Sequence, residues 1–192
     1  MSTARHFLLP TPAGAYFASA EASDDRLRSF IRLLLAQPVT PSWQDQNDGF
    51  VRRLAAIGWI QYLDEPRSVS RDSIENALLR LLPALSGKQQ ALLADAHGFH
   101  LASTGFAPNH AEELAARSAN VTPRHNPYQR SVSQDLRMYA SAWSLPAASG
   151  HGRIGFWPLY VGGQRFVLVI AGTPQLNQPE LVDLVWLLQQ RY

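Results

Sequence analysis

The residues able to do chemistry are few and scattered. The chain has six histidines and no cysteine, so disulfides, thiolate metal sites and cysteine nucleophiles are excluded together. His97 and His100 stand three apart across an expected hairpin turn, but a tetrahedral metal needs further ligands, and none at a suitable spacing accompanies them. His6, His110, His125 and His151 make no H-E-x-x-H pair, and neither a G-x-S-x-G elbow nor a Walker A loop is present. Gly150-His151-Gly152-Arg153-Ile154-Gly155 spells G-x-G-x-x-G. That fingerprint holds a dinucleotide only where it opens a helix, and here it runs into Phe156-Trp157-Pro158-Leu159-Tyr160, which reads as a strand. Glu112-Glu113 is the acidic start of a helix, favoured by its dipole. No catalytic, cofactor-binding or metal-ligating residue is expected, and the chain reads as one that binds other macromolecules.

Composition narrows the class of partner. With 46% hydrophobic and 17% charged residues among 192, the chain is globular, since disordered chains are poorer in apolar and richer in charged residues. No run approaches the roughly 18 apolar residues of a membrane span. Phe7-Leu8-Leu9, broken by Pro10 and Pro12, is shorter than the roughly 7–15 apolar residues of a signal h-region, so a cytoplasmic protein is expected. The basic residues are 16 arginines and one lysine, Lys88. Residues 1–69 carry seven Arg against seven Asp plus Glu.

Two segments divide the chain. In the first, Asp24 and Asp25 precede Leu27, Phe30, Ile31, Leu34 and Leu35, one apolar helical face stopped by Pro38. Phe50 to Ile57 forms a second helix, closed by Gly58 and followed by the short strand Trp59-Ile60-Gln61-Tyr62-Leu63. That order resembles the last helix and first wing strand of a winged-helix domain, with room for only a short turn of helix at Trp43–Asp48. Arg52 and Arg53 then become candidate DNA contacts, although the segment lacks the net basic charge that phosphate neutralisation calls for. The polar joint Asp64-Glu65-Pro66-Arg67-Ser68 sets the expected boundary, giving a mostly helical domain over 1–66 and a second over 70–192.

The second segment opens with Asp72 capping a helix that buries Ile74, Ala77, Leu78, Leu81 and Leu82. Two strands, 91–94 and 99–103, are joined by Asp95-Ala96-His97-Gly98, where glycine supplies the positive φ of a tight turn. Asn109-His110-Ala111-Glu112 reads as a capping box, and its helix must end before Pro123. Strands follow at 138–145, 154–161 and 165–171, the last two linked by Gly162-Gly163. Asn177-Gln178-Pro179-Glu180 starts a final helix with inner stripe Leu181, Leu184, Val185 and Leu188.

The order α-β-β-α-β-β-β-α, with Leu92-Leu93-Ala94-Asp95-Ala96-His97-Gly98-Phe99-His100-Leu101-Ala102-Ser103 and Ala111-Glu112-Glu113-Leu114-Ala115, resembles the Roadblock (dynein light chain) family over about two thirds of the chain. The resemblance implies a Roadblock/profilin-like α/β domain with one five-stranded antiparallel sheet, a homodimer, and service as a non-catalytic platform for a Ras-like small GTPase of the bacterial motility and polarity type. The implied dimer interface is the second helix and third strand, here Ala111, Ala115, Ser118 and Ala119 with Tyr139, Ser141 and Trp143. Arg117 and Trp157 are the expected partner-binding anchors. The runner-up is a DNA-binding regulator that uses this half only to dimerise. Two features depart from the family pattern: Pro158 inside a predicted strand, where a missing donor is tolerated only at an edge or bulge, and the long loop 123–134.

Overall fold

A computed structural model describes residues 6–44, 48–119, 142–146 and 152–192. The first unit holds β1 (His6–Pro10), α1 (Pro12–Ser19), α2 (Arg26–Leu35), β2 (Ser42–Trp43), α3 (Gly49–Ala56) and β3 (Ile60–Leu63). β1 lies between β2 and β3 in a three-stranded antiparallel sheet. Residues 7–9, too short and broken for a signal h-region, lie in the central strand. One expectation is corrected here, because Trp43 belongs to β2 rather than to a short helix. Pro12 does not break structure; it sits in the first turn of α1, whose cap Thr11 accepts from the Gly14 amide through Oγ1 at 3.2 Å, a place where proline's missing donor costs nothing. β3 follows α3 as the winged-helix likeness suggests, but its partner is β1 from the start of the chain.

The second unit runs α4 (Ile74–Leu81), a 3-10 turn (Leu82–Leu85), β4 (Ala91–Asp95), β5 (His100–Thr104), α5 (Pro108–Ala119), β6 (Trp143–Pro146), β7 (Gly152–Val161), β8 (Gln164–Ala171) and α6 (Pro179–Arg191). Its sheet has five antiparallel strands in the order β5-β4-β8-β7-β6, the sheet that the family resemblance implies. Three helix starts shift from the expected residue. Ser73 caps α4, Oγ accepting from the Asn76 amide at 3.3 Å, while Asp72 pairs with Arg80. α5 begins at Pro108, one residue before the supposed cap Asn109. α6 is capped at Gln178, with no side-chain bond.

The strand alternation sorts side chains to two faces. Leu92, Ala94, Phe156, Val167 and Val169 meet Ala111, Leu114 and Ala115 of α5. Leu93, Leu159, Phe166, Leu168 and Ile170 meet α4 and α6. α6 is apolar beyond the predicted stripe, because Val182, Trp186 and Leu187 are buried too; a helix apolar all round must be covered on both sides. The first unit supplies that cover: Leu9, Ala15, Ala18, Ile31 and Leu35 share one core with α6. The Trp186 indole N–H donates to the Gln37 carbonyl at 2.7 Å, and the Gln190 amide donates to the Leu35 carbonyl at 2.9 Å. The joint between the units is itself pinned. The Thr40 amide donates to the Arg67 carbonyl at 2.8 Å, the Arg67 amide donates to Thr40 Oγ1 at 2.9 Å, and the Arg67 guanidinium pairs with Asp183 of α6.

Pro158 is accommodated by register. The Gly172 amide donates to the Arg153 carbonyl, which marks 153 and 172 as a hydrogen-bonded pair. Antiparallel alternation then places 158 and 167 in a non-bonded pair. The proline nitrogen therefore faces away from β8, beyond Phe156, the last residue that the described part of β6 pairs, and no ladder bond to β8 is lost.

Candidate protein-interaction surfaces

The Asp95–Gly98 turn positions α5. The Asp95 carboxylate accepts from the His97 and Phe99 amides at 2.8 and 2.9 Å, and Gly98 takes φ +87°. A Cβ on Gly98 would fall 3.0 Å from the Ala115 carbonyl and the Ala119 Cβ, so this glycine is needed both for its φ and for the close seat of the helix. Arg165 ties the two together by donating to the carbonyls of Ala96 and Ala119.

That seating decides which face of α5 can meet another chain. Ala111, Ala115 and Ser118 have no exposed surface; they are turned onto the chain's own sheet, and the Ser118 hydroxyl donates to the Ala115 carbonyl at 2.7 Å. Small side chains permit close approach to a sheet as readily as to a second helix, and here these three pack on the sheet. Ala119 is half-buried, and the outward face consists of Glu112, Glu113, Ala116 and Arg117. Arg117 is exposed and pairs with Glu113 at 2.6 Å, an i,i+4 ion pair of small energy at such exposure. Tyr139 and Ser141 lie outside the described residues. Trp143 opens β6, its backbone paired with Phe156. Trp157, expected as a partner-binding anchor, is half-buried against the core, with its ring across Gly155, where a Cβ would come within 2.2 Å of it.

In the first unit, Arg52 and Arg53 are both exposed on α3 and have no partner among the described residues. Arg26 lies 4.7 Å from the centroid of the Phe50 ring. Arg28, 3% exposed, is neutralised by Glu21 and Asp25 and stacks on Phe17.

The perturbed titratable groups serve the fold. Burial raises the Tyr16 hydroxyl pKa. Asp183 is raised because desolvation outweighs its pairing with Arg67. At Asp25 desolvation pushes upward, but bonds from Arg28 and Leu27 together hold the carboxyl below its ordinary value. Among the described residues no group of three His, Cys, Asp or Glu could hold a metal ion, and no helix is long and apolar enough to cross a membrane.

The arrangement is thus an α/β unit of Roadblock-like order with a second, smaller unit covering its last helix. No protein-family model matches the sequence, and no curated protein matches it. Similar solved structures include the Roadblock/LC7 domain from Streptomyces avermitilis, 14% identical with a TM-score of 0.36, covering 59% of this chain and 92% of that one. Another is MglB from Myxococcus xanthus, 14% identical with a TM-score of 0.39, covering 62% and 96%.

The sequence reading did not single out a cavity between the start of α5 and the ends of β4, β7 and β8, where Lys88 and Arg153 converge. The only signal in the sequence was that Lys88 is the chain's single lysine.

Proposed function

We propose that this chain is a non-catalytic regulator or scaffold, a cytoplasmic homodimer that serves as a platform for a Ras-like small GTPase of the bacterial motility and polarity type. One observation carries the reading: the strand order β5-β4-β8-β7-β6, with α5 on one face and α4 and α6 on the other, belongs to the same residues whose motifs resemble the Roadblock family. Among the described residues the perturbed titratable groups, Tyr16, Asp25 and Asp183, lie in the packing of the fold. Dimerisation would use the outer edge of β6, which begins at Trp143, because an apolar edge strand is normally paired or covered. Arg117 and the exposed part of Trp157 are the partner-facing anchors, residue types enriched where interfaces hold their binding energy. Light scattering on the purified chain tests the dimer, with twice 21.3 kDa expected and the monomer mass contradicting it. Binding of a Ras-like GTPase loaded with GDP or with a GTP analogue tests the partner.

A second reading, DNA binding by α3, is favoured by the exposed Arg52 and Arg53, whose side chains have no partner among the described residues. A gel shift that weakens steeply with salt would support it, and no retardation at low salt would remove it.

A further inference from the structure

The cavity beside α5 has a volume of about 340 Å³. Its walls include Phe106 and Ile154, and its polar groups are Lys88, Gln90, His110 and Arg153, with no carboxylate in the lining. The Lys88 and Arg153 side chains are exposed and have no hydrogen-bond or ion-pair partner among the described residues. Elsewhere the described arginines mostly find carboxylates, carbonyls or rings. Two cations at one hollow, with no counter-charge among the described lining residues, make a positive field there.

The hollow is built rather than incidental. Ser86, 2% exposed, donates to the Ala171 carbonyl at 2.8 Å and accepts from the amides of Lys88 and Gln90 at 3.1 Å each. Between them Gln89 is held at φ +55°, the one non-glycine residue with positive φ among those described. Gly172, φ +75°, donates to the Arg153 carbonyl and lies under the Lys88 stem, where a Cβ would fall 2.8 Å from Lys88 Cγ. Gly105, φ +70°, leaves the other rim bare, and its carbonyl accepts from Gln90 Nε2 at 2.9 Å. A side chain at Gly105 would press on the Gln89 carbonyl, 2.7 Å from its Cβ, and one at Gly172 would displace the Lys88 stem, each with a strained positive φ.

We infer that this cavity binds a small organic anion: an oxyanion, phosphate monoester or carboxylate, held by Lys88 and Arg153, with an attached apolar group against Phe106 and Ile154. Paired cations suit the oxyanion because charge-assisted bonds are the strong ones, and a mostly apolar wall with a few convergent polar groups is the usual form of a small-molecule site. The site is independent of the platform reading.

Phenyl phosphate, benzoate, inorganic phosphate and benzyl alcohol, titrated calorimetrically into the full chain at low salt, test this. Saturable binding is expected for phenyl phosphate or benzoate, the tighter of the two naming the oxyanion, and none for benzyl alcohol. Lys88→Gln and Arg153→Gln should each weaken it about tenfold or more, the scale of one charge-assisted bond. Bound ligand should also protect Lys88, the single lysine, from amine acetylation. Both substitutions are at exposed positions, and unchanged thermal unfolding verifies that the variants fold. No saturable binding of either aromatic anion, or equal binding by the Lys88→Gln/Arg153→Gln double variant, would overturn the assignment. Inorganic phosphate binding as tightly as phenyl phosphate would overturn its apolar half.

Discussion

Replacing Trp186 with alanine tests whether the two units fold as one. The ring is 1% exposed, on the side of α6 that faces the first unit rather than on the predicted inner stripe, and its N–H satisfies the Gln37 carbonyl. Truncation of a buried tryptophan costs about 3–5 kcal/mol through lost transfer energy and the cavity left behind. Leaving the carbonyl without its donor belongs to the same loss, at about 1–3 kcal/mol if it stays dry. For a chain of this size that corresponds to a fall in Tm of roughly 6–20 °C. Because Leu9, Ala15, Ile31 and Leu35 share the core with α6, scanning calorimetry should show one transition, shifted as a whole. Trp186→Phe keeps most of the volume and should lose about 1–2 kcal/mol, mainly the hydrogen bond. Two separate transitions, with the one for the second unit unmoved, would refute the shared core.

Other outcomes follow from particular contacts. A Cβ at Gly14 would fall 1.9 Å from the Trp59 carbonyl oxygen, so Gly14→Ala should cost about 3 kcal/mol or more by overpacking, read as a lowered urea midpoint. Asp25→Asn keeps an N-cap acceptor but removes the charge beside Arg28, and at neutral pH should cost about 1 kcal/mol, discounted for the carboxylate's partial exposure. Since the Asp25 pKa is lowered in the folded chain, that contribution is present above the ordinary carboxylate pKa and disappears as pH falls through the depressed one. The gap between wild type and variant, followed by urea unfolding, should therefore hold from pH 7 to about pH 5 and close in stronger acid. Gly98→Ala should destabilise the seat of α5 by about 1–3 kcal/mol, while the exposed Arg117→Ala should change stability by less than about 0.5 kcal/mol; thermal unfolding of both variants distinguishes them.

Much of the second unit was legible because its signals are local. The Asp95–Gly98 turn, the Gly162-Gly163 hairpin and the unalternating run 166–170 each depend on residues close in sequence, and each appears where it was read. The first unit was harder. β1 is only five residues long and ends in Pro10, and its assignment depends on pairing with β3, some fifty residues on, which periodicity does not report. Pro12 reads equally as a breaker or a first-turn residue, and only the Thr11 cap decides. The helix caps slipped by one residue because Asp72-Ser73 and Asn177-Gln178 offer adjacent candidates.

The surfaces show the same division. Small residues on α5 identify a close-packed face, but whether it meets a sheet or a second helix depends on the rest of the fold. The pairing of Lys88 with Arg153 at one cavity depends on β7 and β8 meeting at Gly172. By contrast, the apolar outer side of α6 was visible in Val182, Trp186 and Leu187, and should have indicated cover on both sides.

The most direct test of the platform reading is capture from native cytoplasm on the immobilised full chain, in parallel with GDP and a GTP analogue, with bound proteins identified by mass spectrometry. The account predicts recovery of a Ras-like small GTPase in one nucleotide state and its loss in the other. Recovery of no GTPase under either nucleotide would contradict it.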